Sequence, residues 1–209
     1  SDRHVIESQR LFHFVNWSHT LDGDSFERYL AQRPSRLRNT IARKYRKLQR
    51  EHHCTIRLFT DTDLDRALAD YAAVFKASWK DGERFPGFVP ALVYKTAAAG
   101  WLRLAILYID GCPAAAQIWI VAQGKASIFR LAYDERWQQY SPGSILTRHL
   151  MAQVITEDRV ASIDFLTGNE PYKQDWMSER RERWRLVFVR EPDDAETNRP
   201  LARLRKWLS

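Results

Sequence analysis

The chain has 209 residues, which suffices for one large domain or for a compact domain with an extension. No run of about 18 apolar residues occurs and the N-terminus shows no apolar signal region, so neither a membrane span nor an export signal is read and a cytoplasmic setting is expected. The net charge of +7 asks for an anionic partner: nucleic acid, phospholipid, a phosphorylated cofactor or an acidic glycan. Cys54 and Cys112 lie far apart in the sequence and read as buried reduced thiols. The adjacent His52 and His53 have no partner set at metal-ligand spacing, so no metal site is expected.

In chain order, residues 11–18 (LFHFVNWS) read as a strand and Asp24 to Ala31 as a short helix stopping before Pro34. Ser35 is expected to cap a helix running to about Glu51, with Leu37, Ile41, Tyr45 and Leu48 as a narrow apolar stripe. The rest of that helix is basic and lies on a surface. Residues 54–60 alternate as a strand. Thr62 begins a capping box with Asp65, and the following helix buries Leu64, Leu68, Tyr71, Val74 and Phe75. Residues 81–90 form an aromatic, proline-containing loop, and Pro90 opens a helix ending near Gly100.

Three strands follow, at 101–109, 113–122 and 125–133, separated by Asp110-Gly111 and Gln123-Gly124. A helix then runs from Ser144 to about Asp158. The strand at 161–167 is reached through that helix, so it pairs parallel with 125–133. A short helix at 171–178 and a strand at 184–189 complete the pattern, before a polar tail whose end, 201–208, forms a last helix. The fold class is α/β, with a mixed sheet in which an antiparallel meander precedes a parallel crossover, flanked by helices. Such a switch in strand order is where these sheets bind ligands.

Candidate chemistry gathers around that switch. The helix start at Ser141-Pro142-Gly143-Ser144 presents N–H groups and a partial positive charge that suit a pyrophosphate, although the same residues are ordinary turn-and-cap chemistry. Asp164 is an acid in an apolar strand, so it is either hydrogen-bonded for structure or cleft-facing and able to take a proton. Tyr172 follows that strand's carboxyl end; it is a packing residue with a wet tip or a proton donor. His149 lies one turn into the helix and reads as packing. Trp79, Phe85, Phe88 and Trp137 either shape an acceptor pocket or fill the core. Arg36, Arg38, Lys44 and Lys47 form either a solvated helix face or an anion-binding one. No helix-turn-helix, zinc spacing or aromatic RNA-binding strand motif is present.

The ordered segments RPSRLRNTIARKYRKL, LYIDGCPAAAQIWIV, FRLAYDERWQQYSPGSILT and IDFLTGNEPYKQDWMSERRERW resemble the GNAT acyltransferases. More narrowly they resemble the subgroup of cellulose-biosynthesis and FemAB-like acetyltransferases. The resemblance covers most of residues 25–190. It implies acetyl-CoA or another acyl-CoA as cosubstrate and an amine on a small molecule, glycan or lipid precursor as acceptor. On its pattern, the backbone of Phe129, Arg130, Leu131, Ala132 and Tyr133 holds pantetheine and thioester, and Ser141, Gly143 and Ser144 hold the pyrophosphate. Tyr172 protonates the departing thiolate, and Asp164, or Glu170 after it, is the base. The usual Gln/Arg-x-x-Gly-x-Gly/Ala loop reads here as Tyr140, Gly143 and Ile145, so one position survives, and Pro142 removes a donor. FemAB-like relatives that use aminoacyl-tRNA make tRNA the alternative partner, and a catalytically silent binding domain the non-enzyme alternative. The expected division is an N-terminal extension at 1–60, as remnant or linker of a further lobe, a catalytic core at 61–190 and a tail at 191–209. A missing lobe or a homodimer is the expected assembly.

Overall fold

The computed structural model describes residues 6–80 and 85–190. The expected helix at 201–208 lies outside them. In chain order the elements are β1 (Ile6–Thr20), α1 (Phe26–Ala31), α2 (Ser35–Glu51), β2 (Cys54–Phe59), α3 (Leu64–Lys76), α4 (Phe88–Ala98), β3 (Leu102–Ile109), β4 (Cys112–Ala122), β5 (Lys125–Tyr133), α5 (Pro142–Ala152), β6 (Ser162–Thr167), α6 (Pro171–Trp176) and β7 (Glu179–Arg190). A 3-10 turn (Glu135–Tyr140) precedes α5, and a π turn (Gln153–Glu157) follows it.

Local chemistry explains most boundaries. Asp110 and Gly111 have φ of 50° and 80°, and Gln123 and Gly124 have 51° and 70°, which is the double positive φ of a two-residue hairpin turn. Ser25 caps α1 by accepting from the Arg28 N–H at 3.2 Å. Three expected caps differ. Pro34, not Ser35, occupies the cap position of α2. Asp63, in the left-handed region, replaces Thr62 before α3 and makes no side-chain capping bond; Asp65 instead accepts from the Tyr94 hydroxyl. The helix expected from Ser144 begins at Pro142, whose missing N–H costs nothing at a first helical position.

The strands form one mixed sheet in the order β2-β3-β4-β5-β6-β1-β7. Every pairing from β2 to β5 is antiparallel, β5 and β6 are parallel, and β6 pairs antiparallel with β1. The center of the sheet is covered on both faces, which β3 shows residue by residue. Leu102, Leu104, Ile106 and Tyr108 join a core with Tyr71, Val74, Val89 and Val93 of α3 and α4. Ala105, Leu107 and Ile109 join the other core, with Tyr29, Ile41, Leu48, Leu146 and Leu150 of α1, α2 and α5. A strand buried on both faces reads as a near-continuous apolar run, as this one does from Leu104 to Ile109.

Val15–Arg181 form one compact unit; residues 6–14 and 182–190 belong to a second. In the second, the Arg10 guanidinium lies 4.0 Å from the centre of the Trp184 ring and Phe12 meets that ring edge-on at 5.7 Å. No helix among the described residues is long and apolar enough to cross a membrane.

Candidate functional site

The parallel pairing of β5 and β6 is short. It joins Lys125, Ala126 and Ser127 to Ser162, Ile163 and Asp164, and stops there. From residue 128 onward β5 stays paired with β4 alone, so alternate backbone groups on its other edge face an opening. The ladder between β4 and β5 also skips a residue: Ile118 pairs with Arg130 and Trp119 with Ile128. Phe129 is therefore the extra residue of a bulge, outside the ladder, at the place where the two strands part.

The carboxyl end of β6 is shaped by a second irregularity. Asn16 pairs with Thr167 and Ser18 with Asp164, leaving an extra residue on β6. Leu166 has φ of 53°, a conformation a branched side chain takes only at a cost. Its peptide is clamped from both sides. Asp164 Oδ1 accepts from the Leu166 N–H at 2.7 Å, and Asn16 Nδ2 donates to the Leu166 carbonyl at 3.1 Å and to Asp164 Oδ1 at 2.6 Å. Asp164 thus does structural work at the mouth of the opening.

Helix α6 carries Tyr172 just beyond that point. The ring lies 6.2 Å from Phe165 and is 43% exposed. Burial around the hydroxyl, with the Glu170 charge beside it, pushes its pKa up to about 12, so the phenol keeps its proton. Burial also pushes on the Glu170 carboxyl, upward, but a hydrogen bond from its own backbone N–H and one from Lys173 outweigh it, and its pKa falls below the usual carboxylate range. Buried Lys173 donates to Glu170 Oε2 at 3.0 Å and to the Thr167 carbonyl at 2.6 Å. Gly168 has φ of 122°, and any side chain there would run into the Glu170 carboxylate. At its other end α6 is gripped by Tyr29 and Arg33, which donate to the Trp176 carbonyl at 2.7 and 3.0 Å.

The start of α5 faces the end of β5. Ser141 has φ of 54° and makes no side-chain capping bond. Pro142 has no N–H, and the N–H groups of Ser144 and Ile145 turn back to the Ser141 carbonyl at 3.1 and 3.2 Å. Gly143 is buried, and the Tyr133 ring covers the spot where a side chain would sit. A buried amide fixes this turn to the sheet. Gln117 Nε2 donates to the Gly143 carbonyl at 2.9 Å and to Thr147 Oγ1 at 2.8 Å, while Gln117 Oε1 accepts from Trp119 Nε1 at 2.8 Å. His149 is half-buried; burial, then Arg148, lowers its pKa.

The four expected aromatics divide. Trp137 packs edge-on against His52, ring centres 5.0 Å apart, and joins the α2 side of the core. Trp79, Phe85 and Phe88 are exposed; Trp79 lies 4.6 Å from the Tyr133 ring and Phe88 5.9 Å from the Phe129 ring, both on β5. The expected anion-binding cations of α2 all have partners within the chain. Arg36 pairs with Asp175 at 3.2 Å, Arg38 donates to the Arg33 carbonyl, Lys44 to the Gln139 carbonyl, and Lys47 lies 3.8 Å from Glu51. Beyond the expected residues, the site depends on Asn16, Gln117 and Lys173. Gln117 and Lys173 carry a signal in the sequence: a lone amide in an apolar strand, and a lysine three residues after Glu170.

The family model for an acetyltransferase (GNAT) domain matches residues 35–174. No curated protein matches the chain. Among solved structures, the chain is similar to FemX, at TM-score 0.63 and 9% identity over 81% of this chain and 60% of that one. It is also similar to L-PGS from Bacillus licheniformis, at TM-score 0.55 and 12% identity over 96% and 65%. A conserved protein of unknown function from Bacteroides thetaiotaomicron aligns at TM-score 0.60 and 12% identity over 88% and 62%. The chain thus spans less than two thirds of each of these structures, and at such identities the likeness is one of fold. With the family match covering most of its length, the chain belongs to the GNAT acetyltransferase domain family, and it is a transferase.

Proposed function

We propose that the chain transfers an acyl group from acyl-CoA to an amine, and the observation that supports this best is the opening between β5 and β6 beside the Phe129 bulge. A pantetheine arm is an extended chain of amides. Such a chain pairs with an open strand edge as an added strand does, here along residues 129–133. The Phe129 N–H, outside the ladder, is the donor for the thioester oxygen. Of the pyrophosphate residues, Gly143 supplies its N–H, and Ser141 and Ser144 their hydroxyls; the turned-back N–H groups and Pro142 leave this end of the site with few donors.

The amine attacks the thioester carbon, forming the C–N bond and breaking the C–S bond. Glu170, ionised and exposed, takes the amine's proton, and Tyr172, protonated at all ordinary pH, donates one to the departing thiolate. Asp164 holds Leu166 in place rather than moving the proton. The acyl donor, the acceptor and a cytoplasmic setting all belong to this proposal. The test is amine-dependent release of free thiol from acetyl-CoA. Thiol release at the buffer rate alone, with a range of amines, would contradict it.

A second reading, transfer from aminoacyl-tRNA, is favoured by the exposed cations of α2, where Arg36, Arg38, Arg43, Arg46 and Arg50 all face solvent. Salt-sensitive tRNA binding without acetyl-CoA binding would select it.

A further inference from the structure

Helix α6 has six residues, too few to hold a helix unaided, so Tyr172 stands where neighbouring elements hold it. The grip on the far end of α6 is buried. Tyr29 and Arg33 donate to the Trp176 carbonyl, and Arg33 Nη2 donates to Ser178 Oγ at 2.9 Å. His19, on β1, brings Nδ1 to the same oxygen, also at 2.9 Å. One residue further on, Glu179 Oε1 accepts from the Thr20 N–H at 3.1 Å and from the Thr20 hydroxyl at 2.7 Å. His19 and Arg33 are each 6% exposed. Both pack on the Tyr29 ring, the imidazole 5.1 Å and the guanidinium 4.8 Å from its centre.

Arg33 keeps its charge at all ordinary pH. Its guanidinium bonds go to neutral groups: the Trp176 carbonyl, Ser178 Oγ and Gln32 Oε1. Ser178 Oγ accepts from Arg33 and has one proton of its own, which suits a bare Nδ1 on a neutral imidazole. The other ring nitrogen, Nε2, is buried, and no acceptor among the described residues faces it. A second proton on the ring would press one N–H onto an oxygen that Arg33 already uses. It would leave the other N–H unbonded, with two positive charges sharing Ser178. The nearby carboxylates are engaged elsewhere, Asp24 with Arg28 at 2.9 Å and Glu179 with Thr20 and Arg181. Burial first, then Arg33, lowers the His19 pKa below the ordinary histidine range, against smaller upward pulls from Asp24 and Glu179.

We infer that His19 and Arg33 are positioning residues for Tyr172, and that their grip on residues 176–179 loosens when His19 gains a proton. This rests on the reading of Tyr172 as the proton donor, and it adds an acid-sensitive control of where that donor stands. Because the folded chain favours the neutral ring, the grip is at full strength above about pH 6.5 and weakens as pH falls below it.

The test is hydrogen exchange on the chain alone at about pH 7.5 and about pH 5, beside thiol release from acetyl-CoA at both, for the wild type and His19→Asn. Asparagine places its amide where Nδ1 lies and takes up no proton. The Met177 N–H, bonded to the Lys173 carbonyl, and the Thr20 N–H report the grip. Corrected for intrinsic exchange, their protection relative to the β3 amides is expected to fall at least about threefold at the lower pH in the wild type and to stay within about twofold in His19→Asn. The ratio of wild-type to variant kcat falls by at least about threefold over the same interval, with one amine used throughout so that its own protonation cancels. Wild-type protection that ignores pH, or a kcat ratio that ignores it, would overturn the inference. Should His19→Asn not fold, NMR titration of His19 in the wild type decides: ring resonances that titrate together with the loss of Met177 and Thr20 protection support the grip, and titration without that loss overturns it. Thiol release with an unresponsive grip removes the positioning claim alone. A responsive grip with no thiol release at either pH removes the transfer reading and leaves an acid-sensitive contact.

Discussion

Two carboxylates and a phenol close to one another carry different work because their surroundings differ. Asp164 spends Oδ1 on the strained Leu166 peptide; Glu170 stands in solvent with Lys173 beside it. Asp164→Ala is therefore expected to lower stability by about 1–3 kcal/mol in urea unfolding, and Asp164→Asn, which keeps the accepting oxygen, to recover most of it. The same Asn variant is expected to keep its acyl-transfer rate within about threefold, whereas Glu170→Gln and Tyr172→Phe lose about a hundredfold in kcat. An inactive Asp164→Asn enzyme with wild-type stability would hand the base role back to Asp164. The pH dependence follows from the directions of the shifts. A depressed carboxylate pKa keeps Glu170 ionised as pH falls toward the acid range, and a raised phenol pKa keeps Tyr172 protonated up to about pH 12. Neither group changes state between about pH 6 and 10, so kcat/KM in that window is expected to rise with the free-base fraction of the amine. Two amines of different pKa should shift the rising limb by the same difference; a limb fixed in position would mean an enzyme group titrates there.

At the scale of elements, the site is set by where regular pairing fails. The strand order through the meander and the crossover were legible from Asp110-Gly111, Gln123-Gly124 and the helix between two apolar strands, because turn chemistry and hydrophobic periodicity are local signals. The bulges at Phe129 and Leu166 were not, since a bulge is decided by register against a neighbouring strand, and Leu166 is an unusual residue for a positive φ. The expected Thr62–Asp65 box does not form: Asp63 takes the cap position, and Tyr94, 29 residues away, donates to the Asp65 carboxylate. Likewise, the glycine in Ser-Pro-Gly-Ser was legible as a close-approach residue, but the ring that approaches it is Tyr133. Gln117 ties β4 to the first turns of α5 through two buried hydrogen bonds and accepts a third from Trp119 within β4. Gln117→Leu leaves the Trp119 N–H and the Gly143 carbonyl without it and is expected to cost about 1–3 kcal/mol, read by thermal unfolding. An unchanged midpoint would show that water or repacking replaces the amide.

For the whole molecule, the family match and the seven-stranded sheet agree on a GNAT-type transferase, while α2 carries positive charge of which Arg36 and Lys44 are tied to Asp175 and the Gln139 carbonyl and five arginines are exposed. That distribution bears on partners. Weak, strongly salt-dependent binding of polyanions is expected from the net charge of +7, and specific binding is expected only where backbone donors and an open strand edge add to it. The measurement that tests the central claim most directly is calorimetric titration of the chain with acetyl-CoA, with CoA lacking the 3′-phosphate and total tRNA as comparisons. The account predicts one-to-one, micromolar binding of acetyl-CoA that persists in about 0.3 M salt, carried by the β5 edge, with a small loss when the 3′-phosphate is removed. No heat with acetyl-CoA, together with salt-sensitive tRNA binding, would contradict it and make the opening between β5 and β6 the seat of a different donor.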